Sequence, residues 1–448
     1  MGSEKDILAL NAFDRSSVSS VDAELGEAVR RRLRSFGSAS VLFYREPIRM
    51  ERAEGVYMFD VEGRRYLDLY NNVPSVGHSH PHVVEAIRRQ ACALNTHTRY
   101  LNDVVDSYAE RLLATFPPEV EHLVLTCTGS EANDLALRIA KTATGQSGFV
   151  VTETAYHGNT AAVTDVSPSA RPGQPLPPHV RAVAAPDRLR SPDRDPGERF
   201  ADDVAAAIAD LEQSGAGFAA LLVDTIFSSD GVYADPAGFL GPTVKLVHER
   251  HGLFIADEVQ PGFGRTGAAM WGFARHGVVP DIVTMGKPMG NGFPMGGVAM
   301  RAPLLDMFTE DVKYFNTFGG NPVAAAAGHA VLDVIEDEGL IENAREVGRY
   351  LTDGLRELGH RHMEIGEVRG AGLFIGLELV HDRDGKEPAP KFASYLINRL
   401  RQRGFLIGAA GPFGSTLKIR PPLCFGKEHA NMFLAACEEE LRDILAPY

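Results

Sequence analysis

An α/β architecture, a large and mostly parallel sheet with a smaller α+β part toward the C-terminus, is the fold class the sequence predicts. Three observations carry it. Five short apolar runs, "HLVLTCT" (122–128), "GFVVTET" (148–154), "FAALLVD" (218–224), "LFIAD" (253–257) and "DIVTMG" (281–286), are near-continuous rather than alternating, as strands covered on both faces are. Helix-like segments separate the runs, the pattern of parallel strands joined by crossovers. The 448 residues, 44% hydrophobic and 23% charged, suit a packed large domain with a satellite.

In chain order, residues 1–70, including "VYMFDVEGRRYLDLY", read as a helix and a short hairpin packing with the small domain. Residues 71–325 form the large domain and 326–448 the C-terminal small domain. After the first core strand, Thr128 and Glu131 match the S/T-x-x-E capping box, while Ala132, Leu135, Ala136 and Ile139 recur at helical spacing, so a helix starts at "TGSEAND". The Pro- and charge-rich stretch 167–198 predicts an excursion over the surface. "NPVAAAAGHAVLDVIEDEG" reads as a helix with Pro322 in its first turn and Gly339 just past its end. Beyond it, "VRGAGLFIGLELV" (368–380) and "LKIRPPLCF" (417–425) read as strands of the α+β part.

Composition excludes several classes. Lys and Arg number 45 against 59 Asp and Glu, a formal charge of −14, which argues against a general nucleic-acid or anionic-membrane surface. Cys92, Cys127, Cys424 and Cys437 form no CxxC pair and no Cys/His cluster, so they read as reduced thiols and no metal is expected. The opening "MGSEKD" fits a myristoylation signal until Asp6, where Ser or Thr is required. No apolar run approaches the roughly 20 residues of a membrane span, and no signal peptide is recognised. A cytoplasmic protein with neither membrane nor nucleic-acid partner is expected.

The chemistry-bearing residues stand where the strands end. "IAD" delivers Asp257, and the next strand delivers Lys287 among glycines in "PDIVTMGKPMGNG". The first strand opens into a helix N-terminus at Gly129 and Ser130, and "VVTETAYHGN" delivers Tyr156 and His157. Ligands of open α/β sheets bind beyond the carboxyl ends of the strands, so these residues are candidates for one cavity. Singly, each has a plainer reading: Thr128 caps a helix, Tyr156 packs, Lys287 is a solvated turn residue. Jointly they are harder to dismiss. A helix N-terminus suits a phosphate, an aromatic face suits a flat ring, a buried acid needs a matching cation, and a partly desolvated lysine attacks carbonyls. Pyridoxal 5′-phosphate meets all four demands, with its aldehyde for Lys287, ring nitrogen for Asp257, ring face for Tyr156 and phosphate for Gly129 and Ser130.

"TGSEAND", "AYHGN", "DEVQPGFGRTG", "MGKPMGNGFPMG" and "FNTFGGNP", in this order, resemble the class III aminotransferase family, whose fold is the aspartate-aminotransferase-like type I of pyridoxal-phosphate enzymes. The resemblance implies that Lys287 is joined to the cofactor as an imine and that Asp257 pairs with the ring nitrogen. Val259 and Tyr156 would flank the ring, with Gln260 near its phenolic oxygen and His157 among the cofactor's contacts. Thr317 resembles the residue that reaches the phosphate from a neighbouring subunit, which implies a homodimer with a shared site, or such dimers paired into a tetramer. Arg420 resembles the family's carboxylate-binding arginine, and Arg265 and Asn72 join it as expected substrate-binding residues.

Two reactions follow from such a site on a primary amine. Return of the abstracted proton to the cofactor gives an aminotransferase, which needs a keto acid such as pyruvate or 2-oxoglutarate. Loss of a leaving group from the neighbouring carbon gives a lyase. "NNVPSVGHSHP" (71–81), "LNTHTRYLND" (94–103), "VPDIVTMGKPMGNG" (279–292) and "VRGAGLFIG" (368–376) are similar to the ethanolamine-phosphate and phosphohydroxylysine phospho-lyase branch. Where many family members carry Glu-Pro, this chain has Asp224 and Thr225, which weakens the dual-substrate reading. Retention of Arg420 supports it by a similar amount. The phospho-lyase is the favoured reading, the aminotransferase the alternative; a racemase and a non-catalytic binder of the cofactor rank below both.

Overall fold

The computed structural model describes residues 11–444. The chain opens with helix α1 (Ala23–Phe36) and three antiparallel strands, β1 (Met50–Glu54), β2 (Tyr57–Asp60) and β3 (Arg65–Asp68), followed by α2 (Pro81–Ala93) and α3 (Asp103–Leu113). The large sheet and its covering helices come next: β4 (His122–Thr126), α4 (Gly129–Thr144), β5 (Phe149–Thr152), the short α5 (Ala161–Asp165), β6 (Val180–Val183), α6 (Pro196–Gln213), β7 (Ala220–Val223), α7 (Gly241–Glu249), β8 (Leu253–Asp257), β9 (Ile282–Met285) and β10 (Gly296–Met300). In space the order is β4-β10-β9-β8-β7-β5-β6, with β10 antiparallel to both neighbours and the other six strands sharing one direction.

Successive side chains of a strand point to opposite faces, and here each face has its own core. Val151, Leu222, Ile255 and Ile282 pack with Leu135 and Ile139 of α4 on one side. Val150, Leu221, Phe254 and Val283 pack with Phe200 and Ile208 of α6 and Val247 of α7 on the other. This double burial is why the runs of β5, β7, β8 and β9 are near-continuously apolar, whereas the run expected to be covered on both faces at 122–128 is the half-exposed edge strand β4. Two strands escaped the sequence pattern. The stretch 167–198 is not all surface excursion: Val180–Val183 forms edge strand β6, paired with β5, and edge strands tolerate the prolines around it. Strand β10 begins with two glycines because Gly296 lies against β4's end, where a Cβ would sit 2.5 Å from the Thr128 carbonyl oxygen.

After α8 (Ala302–Asp311), α9 (Pro322–Asp337) and α10 (Leu340–Arg361), the chain forms β11 (Ile365–Ala371), β12 (Phe374–Leu379), α11 (Pro390–Gln402), β13 (Phe405–Leu406), β14 (Gly408–Ala410), β15 (Thr416–Ile419) and α12 (Lys427–Ile444). The run 368–380 is a hairpin rather than one strand, turning at Gly372 with φ of +56°. β11, β12, β15 and β14 make an antiparallel sheet, while β13 joins β3 in parallel, Phe405 opposite Leu67. Among the described residues no helix is long and apolar enough to cross a membrane.

Candidate active site

The carboxyl ends of β4, β8 and β9 share one rim of the large sheet. At the first, Thr128 caps α4 by accepting the Glu131 N–H at 3.1 Å, while the Glu131 carboxylate accepts the Cys127 N–H at 2.8 Å. The capping box is thus closed one residue earlier than usual, an arrangement whose loss costs about 1 kcal/mol. The cap leaves the first turn, Gly129 and Ser130, bare of large side chains. A Cβ on Gly129 would lie 2.9 Å from Val259, one on Gly286 would lie 3.1 Å from the Gly129 nitrogen, and one on Gly158 would lie 2.5 Å from Ser130 Oγ. Three glycines therefore let β9, the loop after β5 and the loop after β8 close around this helix terminus. Ser130 Oγ also accepts the Asn159 N–H at 3.2 Å.

Asp257 ends β8 and is almost fully buried. Its Oδ1 accepts the Val259 N–H at 3.1 Å. Oδ2 accepts from Asn133 Nδ2 at 3.1 Å and lies 2.6 Å from His157 Nδ1, so a proton on that nitrogen makes the contact a donation to the carboxylate. Asn133 is fixed in turn, donating to the His157 carbonyl at 2.8 Å and accepting from Thr284 Oγ1 at 2.7 Å. The His157 N–H donates to Ser167 Oγ at 3.0 Å. Hydrogen bonds to a charged group contribute about 1.5–3 kcal/mol each, so this network holds a buried anion in one place. Asn133 and Thr284 were not singled out from the sequence. The available signal was an amide at an inward helical position of "SEANDLALRIA".

Lys287, just past β9, opens into a cavity of about 190 Å³ whose wall also includes Tyr156, Gln260 and Arg420. Its ammonium makes no hydrogen bond or ion pair among the described residues, and burial, reinforced by the Arg420 charge, pulls its pKa below the usual lysine range against the opposing pull of Asp257 and Asp224. A lysine so placed supplies the free amine that carbonyl chemistry needs. Burial raises the Tyr156 hydroxyl pKa, keeping that ring neutral.

The opposite wall comes from the small sheet. Arg420, just after β15, lies over the Tyr70 ring with its carbon 4.7 Å from the centroid, donates to Asn72 Oδ1 at 3.3 Å and also to Gln260 Oε1. Gln260 bridges back to Asn72 (3.3 Å) and donates to Ser228 Oγ at 2.7 Å. Arg265 is not on the cavity wall. It is 1% exposed, its guanidinium donates to the carbonyls of Leu373 and Pro421, and burial together with the nearby Arg420 charge pulls its pKa to about 9. Thr317 is also away from this cavity, exposed in the loop before α9. Lys418, missed in the sequence, does line it.

A family model described as aminotransferase class-III matches residues 43–441. The chain belongs to the class III aminotransferase family. It is 39% identical over 94% of its length to the alanine–glyoxylate aminotransferase 2-like protein of Drosophila melanogaster, covering 87% of that protein. It is 38% identical to the ethanolamine-phosphate phospho-lyase homolog 1 of Caenorhabditis elegans, with 93% of each chain covered. Among solved structures, a phospholyase from Arthrobacter in complex with phosphoethanolamine is 44% identical with a TM-score of 0.90, covering 93% of this chain and all of that one. A class III enzyme of fold type I takes pyridoxal phosphate, and the residues here fit it. A glycine-lined helix terminus packed against Val259, a buried carboxylate bonded to the same residue and an unpartnered lysine one position after Gly286 meet at this rim of the sheet.

Proposed function

We propose that this class III enzyme is a phospho-lyase that eliminates phosphate from O-phosphoethanolamine or a similarly small phosphorylated amine, giving aldehyde, ammonia and phosphate. The observation that carries the reading is the bonding of Asp224 and Arg420. Asp224 accepts the N–H groups of Ile226 (2.9 Å) and Ser228 (3.0 Å), so it is committed to its own turn. Arg420 is held instead by Gln260 and Asn72, facing the cavity. An arginine that a carboxylate does not draw aside is a standing anion site, the need of an enzyme with one anionic substrate. The Arthrobacter relative with phosphoethanolamine bound supports the same class of substrate.

Pyridoxal phosphate, when bound, supplies the electron sink. Asp257 would keep a proton on its ring nitrogen, Tyr156 and Val259 would flank the ring, and Gly129 and Ser130 would receive the phosphate. Lys287 would hold the cofactor through its amine and, once free, would be the base at the substrate's amine-bearing carbon. Arg420 would bind the substrate anion on the cavity wall it shares with Lys287. An aminotransferase is the second reading, supported by the name of the Drosophila relative and by the fit of guanidinium to carboxylate as well as phosphate. The test is incubation of cofactor-loaded enzyme with O-phosphoethanolamine and no keto acid. Sustained release of phosphate and aldehyde is expected. A stall with conversion to pyridoxamine phosphate, relieved by pyruvate or 2-oxoglutarate, would overturn the lyase reading.

A homodimer completes the proposal. Thr317 lies in a loop whose Phe315 and Phe318 are 44% and 69% exposed, with Leu101, 96% exposed, on a nearby loop that sets His97 edge-on to Phe315. Such a patch suits burial against a second copy, placing Thr317 near the partner's phosphate. An active monomer in sedimentation would refute it. A cytoplasmic location remains part of the proposal, tested by fractionation.

A further inference from the structure

Among the side chains on the cavity wall, Lys418 has no role in the mechanism above. It stands on β15 two residues before Arg420, so both project to the same face, that of the cavity. In register its neighbours are Gly376 of β12 and Gly408 of β14, glycines that let the Gly231 carbonyl and the Tyr70 ring approach the sheet on either side of it. The side chain is 6% exposed, its Nζ lies 5.6 Å from the centre of the Phe374 ring, and it has no hydrogen bond or ion pair to any described residue. The nearby acids are committed elsewhere. Asp224 accepts backbone N–H groups, and Asp230 accepts from the hydroxyls of Thr152 (2.9 Å) and Thr154 (2.5 Å). A buried, unpartnered cation beside Arg420 is costly unless an anion comes to it.

The chemistry of elimination names that anion's need. A phosphate monoester dianion that loses its carbon–oxygen bond without gaining a proton departs as a trianion, a very strong base, so the departing oxygen must be protonated as the bond breaks. Arginine does not give up its proton and Lys287 is taken up as the base, so of the cations on the cavity wall Lys418, on the same face as Arg420, is the one placed to supply it. We propose, resting on the phospho-lyase reading, that Lys418 is the general acid that protonates the departing phosphate while Arg420 holds its remaining charge. The proton of the substrate's amine-bearing carbon passes to Lys287, and its bonding pair forms the carbon–carbon double bond. The carbon–oxygen bond breaks with its pair on the phosphate oxygen. That oxygen takes the Lys418 proton, giving hydrogen phosphate and a neutral amine that regains a proton from water after product release. Burial, with Arg420 and Lys287 close by, lowers the pKa of Lys418 well below that of a free lysine, against the pull of Asp224 and Asp230, the direction an acid working near neutrality requires.

The test compares two esters in wild type and Lys418→Arg: O-phosphoethanolamine, whose leaving group needs a proton, and 2-aminoethyl hydrogen sulfate, whose sulfate leaves without one. Lys418→Arg keeps the charge but not the acid. It is expected to hold KM for the phosphate ester within about threefold, to lower its kcat by about 10²–10⁴, and to eliminate sulfate within about threefold of wild type. Binding of unreactive 2-aminoethylphosphonate, followed through cofactor absorbance, should be retained. If Lys418→Arg misfolds, Lys418→Gln is read by the same phosphate-to-sulfate ratio of kcat. Phosphate turnover at the wild-type rate in the variant, or an equal loss on both esters, would overturn the acid role alone. A wild-type enzyme that releases no phosphate would remove the phospho-lyase reading and the acid with it.

Discussion

On the large-sheet side, Lys287 apart, the charge is tied down, both oxygens of Asp257 having hydrogen-bond partners, whereas on the small-sheet wall of the cavity Lys418 makes no hydrogen bond and Nε of Arg420 has none among the described residues. The contrast separates two tasks. The partnered wall fixes a permanent charge against a group that stays through every turnover. The unpartnered wall keeps donors ready for a charge that arrives and leaves, and the stability lost to an unsatisfied buried donor, about 1–3 kcal/mol, is what such readiness costs. Anchoring chemistry is thus satisfied within the protein, while substrate chemistry is left open.

Substitutions on the two walls should therefore fail differently. Beside the loss expected for Lys418→Arg, the largest effect is expected for Asp257→Asn, which keeps an acceptor for Val259 but removes the charge. Turnover should fall by about 10²–10³-fold with the cofactor still bound. Near wild-type kcat would break the assignment of Asp257 as the permanent charge. A smaller effect is expected for Arg420→Gln on the open wall, where KM for the phosphorylated amine should rise about 10–100-fold while kcat changes less. Equal loss in kcat alone would show that this wall does not bind the anion.

The smallest effect is one of stability. Burial raises the Glu258 carboxyl from its ordinary 4.5 to about 7, against the lowering hydrogen bonds from Gly272, Thr225 and Phe273. Between those pH values the folded chain holds a proton that the unfolded chain has lost. The contribution is therefore full below about pH 4.5 and disappears as pH rises through 7. Glu258→Gln should flatten that dependence, changing its stability relative to wild type by roughly 2–4 kcal/mol between pH 4.5 and 8 in denaturant titrations. An identical pH slope in both proteins would refute the protonated state.

Legibility in the sequence follows the same division. Lys287 and Asp257 close apolar runs, and a charge at the end of a doubly buried strand stands out against its neighbours. The helix at Gly129 announced itself through its cap. β6 and β10 were missed because an edge position and a glycine-filled close approach both lack the apolar signature of a core strand. The interior of the site was harder to read. Asn133 does its work from a helix face whose other members are ordinary core residues. Lys418 sat inside a quoted strand, "LKIRPPLCF", where the alternation of Leu417 and Ile419 against Lys418 and Arg420 marks a charged face. That pattern alone does not distinguish a solvated edge from a buried wall, and only the packing of β15 between β12 and β14 decides it. Arg265 shows the converse, a guanidinium in a striking motif position that packing turns to backbone carbonyls.

Two lysines line the cavity, and their duties are opposite, Lys287 toward the cofactor and Lys418 toward the departing anion. Borohydride reduction of the cofactor-loaded enzyme, followed by peptide mapping, tests this most directly. A single phosphopyridoxyl group is expected on the peptide carrying Lys287, with Lys418 unmodified. Recovery of the label on Lys418, or on neither lysine, would contradict the account.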